Sequence, residues 1–293
     1  MRSRRRRGKA PQRECSDTRG IPVRRRKHRP LRALIFLRVM MALCAAAIAF
    51  FAVLLVISDR EYAQGDAAYE QVRAVARGRV AARNGGAAAT SPVQAASGTE
   101  TVEPEQITQM DFAPLQVLNA DVVGWLYGEG SPIDYPVVLG RDNEYYLTHL
   151  FDNQRNKLGS LFMDYRNCGD FSDKNTVIYG HNMKDGSMFA SLTRYKEQAY
   201  FDSHSTMTLY TPAGDFVIVL FAGIVADGDY EFIRFEFQNG EDFTDYINNV
   251  RRNSTFKSEL VVDPDDRIVT LCTCSYDFNN ARFALFGVLR DLR

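Results

Sequence analysis

Residues 267–274 read Arg267-Ile268-Val269-Thr270-Leu271-Cys272-Thr273-Cys274, and the reading of this stretch decides the fold. Its β-branched and apolar residues predict a buried strand that delivers Cys274 to its end, just before the polar Ser275-Tyr276-Asp277. The next apolar run, 283–289, predicts the neighbouring strand, with Arg282 at its mouth. A short connection then brings a thiol and a guanidinium to one rim of a sheet. A thiolate is a strong nucleophile, but an unperturbed thiol is mostly protonated at neutral pH and needs a base or a cation beside it. The partner to look for is a histidine.

The chain has four histidines: His28, His149, His181 and His204. His28 lies in a basic tail, and His149 and His204 sit among surface-like residues without a companion motif. His181 ends the strand-like run Asn175-Thr176-Val177-Ile178-Tyr179 and follows Gly180, so a rigid strand supports it and a glycine lets other groups come close. Taken singly, Cys274 reads as a structural thiol, His181 as a turn residue and Arg282 as a surface ion-pair residue. Three such residues in this order at strand ends point to chemistry.

Tyr179-Gly180-His181-Asn182-Met183, Thr270-Leu271-Cys272-Thr273-Cys274 and Arg282 together resemble the His, TLxTC and Arg signature of sortases, the cysteine transpeptidases of monoderm bacterial surfaces. The likeness runs from about residue 112 to the C-terminus, and its N-terminal half and the helix expected before the Cys274 strand resemble class B sortases in particular. The resemblance implies that Cys274 attacks a carbonyl carbon, that Arg282 donates to the oxyanion or holds the peptide's carbonyls, and that His181 protonates the leaving amine and later takes a proton from the incoming one. Cys272 is a departure: that position is commonly serine in class B sortases. It shares a strand face with Cys274 at a Cα separation of about 7 Å, near the limit for a disulfide. We assign the nucleophile to Cys274, which adjoins the rim, and expect Cys272 deeper in the barrel, desolvated and less ionised. Asn182 and Asp277 are within reach to orient the imidazole. Thr273 faces the other way, so its backbone N–H is the better support for an oxyanion.

The 293 residues carry no net charge, yet the first 38 hold fifteen Lys and Arg against Glu14 and Asp17, a balance of +13 that the rest of the chain cancels. Between the two parts, residues 39–57 (VMMALCAAAIAFFAVLLVI) are uncharged and long enough to cross a bilayer as a helix. The basic flank predicts a signal anchor with the N-terminus cytoplasmic and everything after Ser58 outside. Beside such a span, the arginine clusters read as a topology signal and anionic-lipid contact rather than a nucleic-acid site. Of five cysteines, Cys168, Cys272 and Cys274 then lie outside, an odd number that leaves a free thiol. No zinc-ligand spacing and no EF-hand loop is present, so neither a metal nor a cofactor is expected.

These features divide the chain into a basic cytoplasmic tail (1–38), a transmembrane anchor (39–57), a flexible extracellular linker (58–105) and a catalytic domain (106–293). Within the linker, residues 60–83 read as a frayed charged helix, and 84–105 as a tether without large apolar residues. The domain should open with a helix-like segment at 106–119, despite Pro114. Strands are expected near 122–126, 133–138, 159–164, 175–179, 206–210 and 215–226, short helices at 142–147 and 187–195, and an amphipathic helix at 241–258 with Phe243, Tyr246, Ile247 and Val250 on one face. Pro136 suggests an edge or strand end, and Gly223 a bulge. The sum is a mostly β fold, a sortase-like closed barrel of about eight strands, with N-terminal helices and one helix inserted before the Cys274 strand.

The expected function is that of a membrane-anchored cysteine transpeptidase. As the resemblance implies, it would cleave the C-terminal sorting signal of secreted proteins and pass the product to a peptidoglycan precursor amine. One alternative is a pilin-polymerising sortase with a lysine acceptor; another is a non-enzymatic anchored domain that binds peptide. Residues 216–238 are expected to line the pocket that sets specificity.

Overall fold

Strand β7 (Ile268–Cys274) forms where the sequence places it, flanked by one strand from earlier in the chain and one that follows. The structure is a computed structural model that describes residues 31–77, 110–228 and 232–292. Eight strands close into a barrel: β1 (Val122–Tyr127), β2 (Asp134–Leu139), β3 (Leu161–Met163), β4 (Asn175–Tyr179), β5 (Thr206–Tyr210), β6 (Phe216–Asp227), β7 and β8 (Ala281–Asp291). They neighbour one another in the order β1-β2-β3-β4-β7-β8-β6-β5. The pairs β2–β3 and β4–β7 are parallel and the rest antiparallel, and closure leaves none of the eight with an open edge.

The two-residue period of β7 sorts its side chains. Val269 and Leu271 enter the main core with Trp125, Val137 and Ile178. Ile268 and Cys272 join a second cluster on the outer face with Phe221, Phe286 and the buried side of helix α4 (Gly240–Arg252). The expectation of Cys272 inside the barrel is therefore corrected. The strand's even-numbered residues face outward, and Cys272 is buried at 3% exposure by the second cluster. Helix α4 buries Phe243, Tyr246, Ile247 and Val250, as their spacing predicts, and is capped by Asn239, whose side chain accepts from the Asp242 N–H at 2.9 Å. It ends at Arg252, six residues short of the expected boundary.

Two backbone expectations shift. Pro136 opposes Trp125 of β1, and the ladder to β3 starts only at Val137, so its missing N–H is tolerated between two strands rather than at an edge. The bulge in β6 falls between Leu220 and Ala222, not at Gly223. That glycine instead admits Phe256 and Phe283, whose ring atoms would each stand 2.9 Å from an added Cβ. Helix α2 (Phe112–Leu118) carries Pro114 in its first turn, where no intrahelical N–H is lost, and the short helix α3 (Gln198–Ser203) precedes β5.

The chain divides into two units, Met1–Leu55 and Val56–Arg293. Helix α1 (Leu31–Ala76) contributes to both. In the first unit its large apolar side chains, such as Phe36, Phe50 and Leu55, are exposed, and the helix is long and apolar enough to cross a membrane. In the second unit, residues 60–76 form a helix as their sequence suggests, but a packed rather than a frayed one. Tyr69, Val72 and Ala76 are buried in the main core. The remainder of the expected linker and the start of the catalytic domain, 78–109, lie outside the described residues, as does the tail before residue 31.

Candidate active site

Cys274 ends β7, and the residue directly opposite it on β8 is Arg282. Opposed residues of an antiparallel pair point to the same face with Cβ atoms about 5 Å apart. On the other flank β4 runs parallel, with Tyr179 beside Cys272. Three hydrogen bonds then prolong this pairing past the end of β4. Gly180 N–H donates to the Cys272 carbonyl at 3.1 Å, the Thr273 hydroxyl to the Gly180 carbonyl at 2.7 Å, and the Asn182 side-chain amide to the Cys274 carbonyl at 2.9 Å. His181 is the residue between those contacts. All three residues singled out in the sequence, His181, Cys274 and Arg282, thus arrive at one rim of the barrel.

The imidazole is half-buried, with Nε2 2.7 Å from the carbonyl oxygen of Leu147. A carbonyl oxygen only accepts, so Nε2 carries the proton and Nδ1 is left for exchange. The two thiols differ in surroundings. Cys274 is partly exposed, whereas burial pushes the Cys272 thiol up to about 12, an effect that nearby Arg282 only partly reverses. Arg282 is half-buried, and its Nη1 donates to the Ala281 carbonyl at 3.2 Å.

A cleft of about 670 Å³ opens beside the rim, lined by Arg166, Tyr179, Phe232, Ile233, Cys272 and Arg282 among others; of the three rim residues, Arg282 alone lines it. Its wall at 232–236 falls within the stretch expected to set specificity. A further cleft of about 510 Å³, between β6 and α4, contains none of the three rim residues. Among the described residues, no group of three or more His, Cys, Asp or Glu could hold a metal ion.

Several supporting residues were only partly visible in the sequence. Asn182 clasps the Cys274 carbonyl rather than the imidazole. Asp277 accepts from Lys196 and Ser275 instead of orienting His181, and these bonds hold its carboxyl below the ordinary range. Thr273, expected to serve through its N–H, uses its hydroxyl to tie β7 to the residue before His181. Asp164, fully buried, accepts from the Tyr179 phenol at 3.0 Å, from Asn143 at 2.9 Å and from both arms of Arg166 at 2.8 Å, fixing a wall of the cleft. The sequence carries no signal for the Leu147 carbonyl, because a main-chain acceptor leaves no trace in side-chain identity.

No protein-family model matches the sequence. Sortase B of Listeria monocytogenes is 42% identical over 181 residues, which cover 61% of this chain and 74% of that protein. Sortase B of Staphylococcus aureus is 32% identical over 163 residues, 56% of this chain and 67% of that protein. Its structure in complex with a substrate superposes with a TM-score of 0.60, covering 62% of this chain and 85% of that one. The sortase B structure from Clostridium perfringens, 35% identical, gives a TM-score of 0.58 over 61% of this chain and 98% of that one. The shared closed barrel and the extent of these identities lead to one conclusion: the chain belongs to the class B sortases, which are cysteine transpeptidases.

Proposed function

We propose that this sortase is anchored in a membrane by α1 with its barrel outside the cell, and that it transfers secreted proteins to a cell-wall peptide amine through a thioester on Cys274. The reading rests above all on the convergence of Cys274, Arg282 and His181 at one rim beside a cleft. The Cys274 thiol passes its proton to Nδ1 of His181, the thiolate attacks the carbonyl carbon of the sorting signal, and Arg282 donates to the oxyanion that forms. The C–N bond breaks, and the departing amine takes the proton held on Nδ1 of the imidazolium. An incoming amine then attacks the thioester, returns a proton to Nδ1, and the thiolate leaves. Cys272 is the poorer nucleophile because burial keeps its thiol protonated at neutral pH.

An apolar span preceded by a strongly basic tail supports the orientation, tail inside and barrel outside. The domain division proposed is a tail at 1–38, an anchor at 39–57, a connecting region at 58–105 and a catalytic domain at 106–293. Membership in an enzyme family sets aside the reading as a receptor, and no observation favours a pilin lysine as acceptor.

The test incubates the protein with a library of sorting peptides and looks for an acyl-enzyme by mass. Cys274→Ala abolishes the adduct, His181→Ala abolishes its formation or turnover, and Cys272→Ala keeps substantial activity. A dead Cys272 variant beside an active Cys274 variant would reverse the assignment of the nucleophile.

A further inference from the structure

The stretch of α1 from Ser58 to Ala76 docks on the loop that runs from the Leu147 carbonyl to β3, and that carbonyl is the group bonded to His181. The contacts are continuous. Lys157 donates to the Ser58 carbonyl at 2.8 Å and to its hydroxyl at 2.6 Å, and its ammonium sits 3.7 Å from the centre of the Tyr62 ring. Asn156 donates to the Glu61 carbonyl at 2.9 Å. Gly65 leaves room for Leu158, whose Cδ2 would stand 2.7 Å from an added Cβ. The phenol of Tyr69, 2% exposed, reaches the Gly159 carbonyl at 2.5 Å and the Ser160 hydroxyl at 3.1 Å.

Gly159 is the hinge of this arrangement. It adopts φ +60°, and its Cα face lies so close to the Leu147 carbonyl that a Cβ there would stand 2.8 Å from the oxygen. Ser160 N–H donates to the Tyr146 carbonyl at 2.9 Å, and its hydroxyl to the His149 carbonyl at 3.0 Å. The two ends of the loop are thus laced together, and the lacing is held from outside by α1. The Leu147 oxygen then fixes the imidazole with Nε2 protonated.

We propose that residues 58–76 of α1 act as a positioning element for the reaction: Tyr69 pins Gly159 and Ser160, and through them the Leu147 carbonyl that sets the orientation and tautomer of His181. The proposal rests on His181 being the acid and base of the transfer. Without the pin the loop relaxes, the imidazole samples both tautomers and turnover slows, while the cleft that binds the peptide keeps its shape.

The test uses the full chain, labelled with ¹⁵N at its histidines, with turnover of a sorting peptide in the presence of an amine acceptor normalised to titrated Cys274 thiol. Tyr69→Phe keeps the buried ring and removes the donor. We expect kcat to fall on the order of tenfold with the peptide KM changed less than about twofold. The His181 nitrogens should change from a single Nε2–H form to a mixture. Lys157→Met, at the half-buried outer end of the contact, gives a smaller loss of the same kind, and it decides the question with Ser160→Ala if Tyr69→Phe does not fold. The proposal is overturned if folded Tyr69→Phe, or the two substitutes, keeps full kcat, or loses kcat while the imidazole retains its single tautomer. Full turnover by His181→Ala would instead remove the reading on which the proposal stands, whatever Tyr69→Phe does.

Discussion

Asp164 shows how much of a site can depend on a residue that never meets substrate. Burial alone would push its carboxyl up, but Arg166, Asn143 and Tyr179 together outweigh that and hold it below the ordinary range. A depressed carboxylate contributes stability that is complete above its unfolded value and is lost as the pH falls through the folded one. Asp164→Asn is therefore expected to lower stability at neutral pH by about 2 kcal/mol, since it leaves strong donors without their acceptor. The gap between the urea-unfolding free energies of variant and wild type should begin to narrow below about pH 4, the value of the unfolded carboxyl, and close only as the pH falls through the lower folded value. Equal gaps at pH 7 and pH 3 would show that Asp164 acts by packing alone. From sequence, Asp164 is one polar residue after an apolar run and nothing marks it. The placing of His181, Cys274 and Arg282 at one rim was legible because each stands at or just beyond a strand terminus. The residues that hold them work through partners distant in sequence, which a local reading does not reach.

At the scale of elements, α4 was the clearest part of the sequence and repays a direct test. Its four buried residues lie at i, i+3, i+4 and i+7, and they cover the outer face of β6, β7 and β8. Ile247→Ala is expected to destabilise by about 2–4 kcal/mol through lost burial and the cavity left behind. Asn239→Ala should cost about 1 kcal/mol through the lost cap. Both are read as shifts in urea midpoint at unchanged slope. The same helix steadies the cleft wall, because Asp242 accepts from both arms of Arg234 at 2.9 and 2.7 Å, and that pairing holds its carboxyl down to about 2. Strands were legible for a related reason: period-two apolar runs locate them. Their partners were not. That β7 lies between β4 and β8 follows from closure of the whole barrel, and no residue of β7 announces a parallel neighbour.

For the whole molecule, the main surprise lies in residues 58–76. Alanine and charge dominate this segment, so its few large apolar residues, Tyr69 and Val72 among them, form a buried stripe too sparse to stand out in the sequence. Each large apolar side chain that is fully buried contributes roughly 1.5–3 kcal/mol. A protein beginning at Met110 is therefore expected to melt on the order of 10 °C below one beginning at Ser58. Differential scanning calorimetry of the two pieces decides it, and equal melting temperatures would mean that the helix only rests on the barrel. One further consequence follows from the parallel β4–β7 ladder. Asn182 and the Cys274 carbonyl that it holds are 92 residues apart in the chain. A ribosome completes the imidazole strand well before the sulfur strand exists, so a growing polypeptide stays chemically silent until its two distant segments zip together. Latency during biosynthesis is then a property of topology.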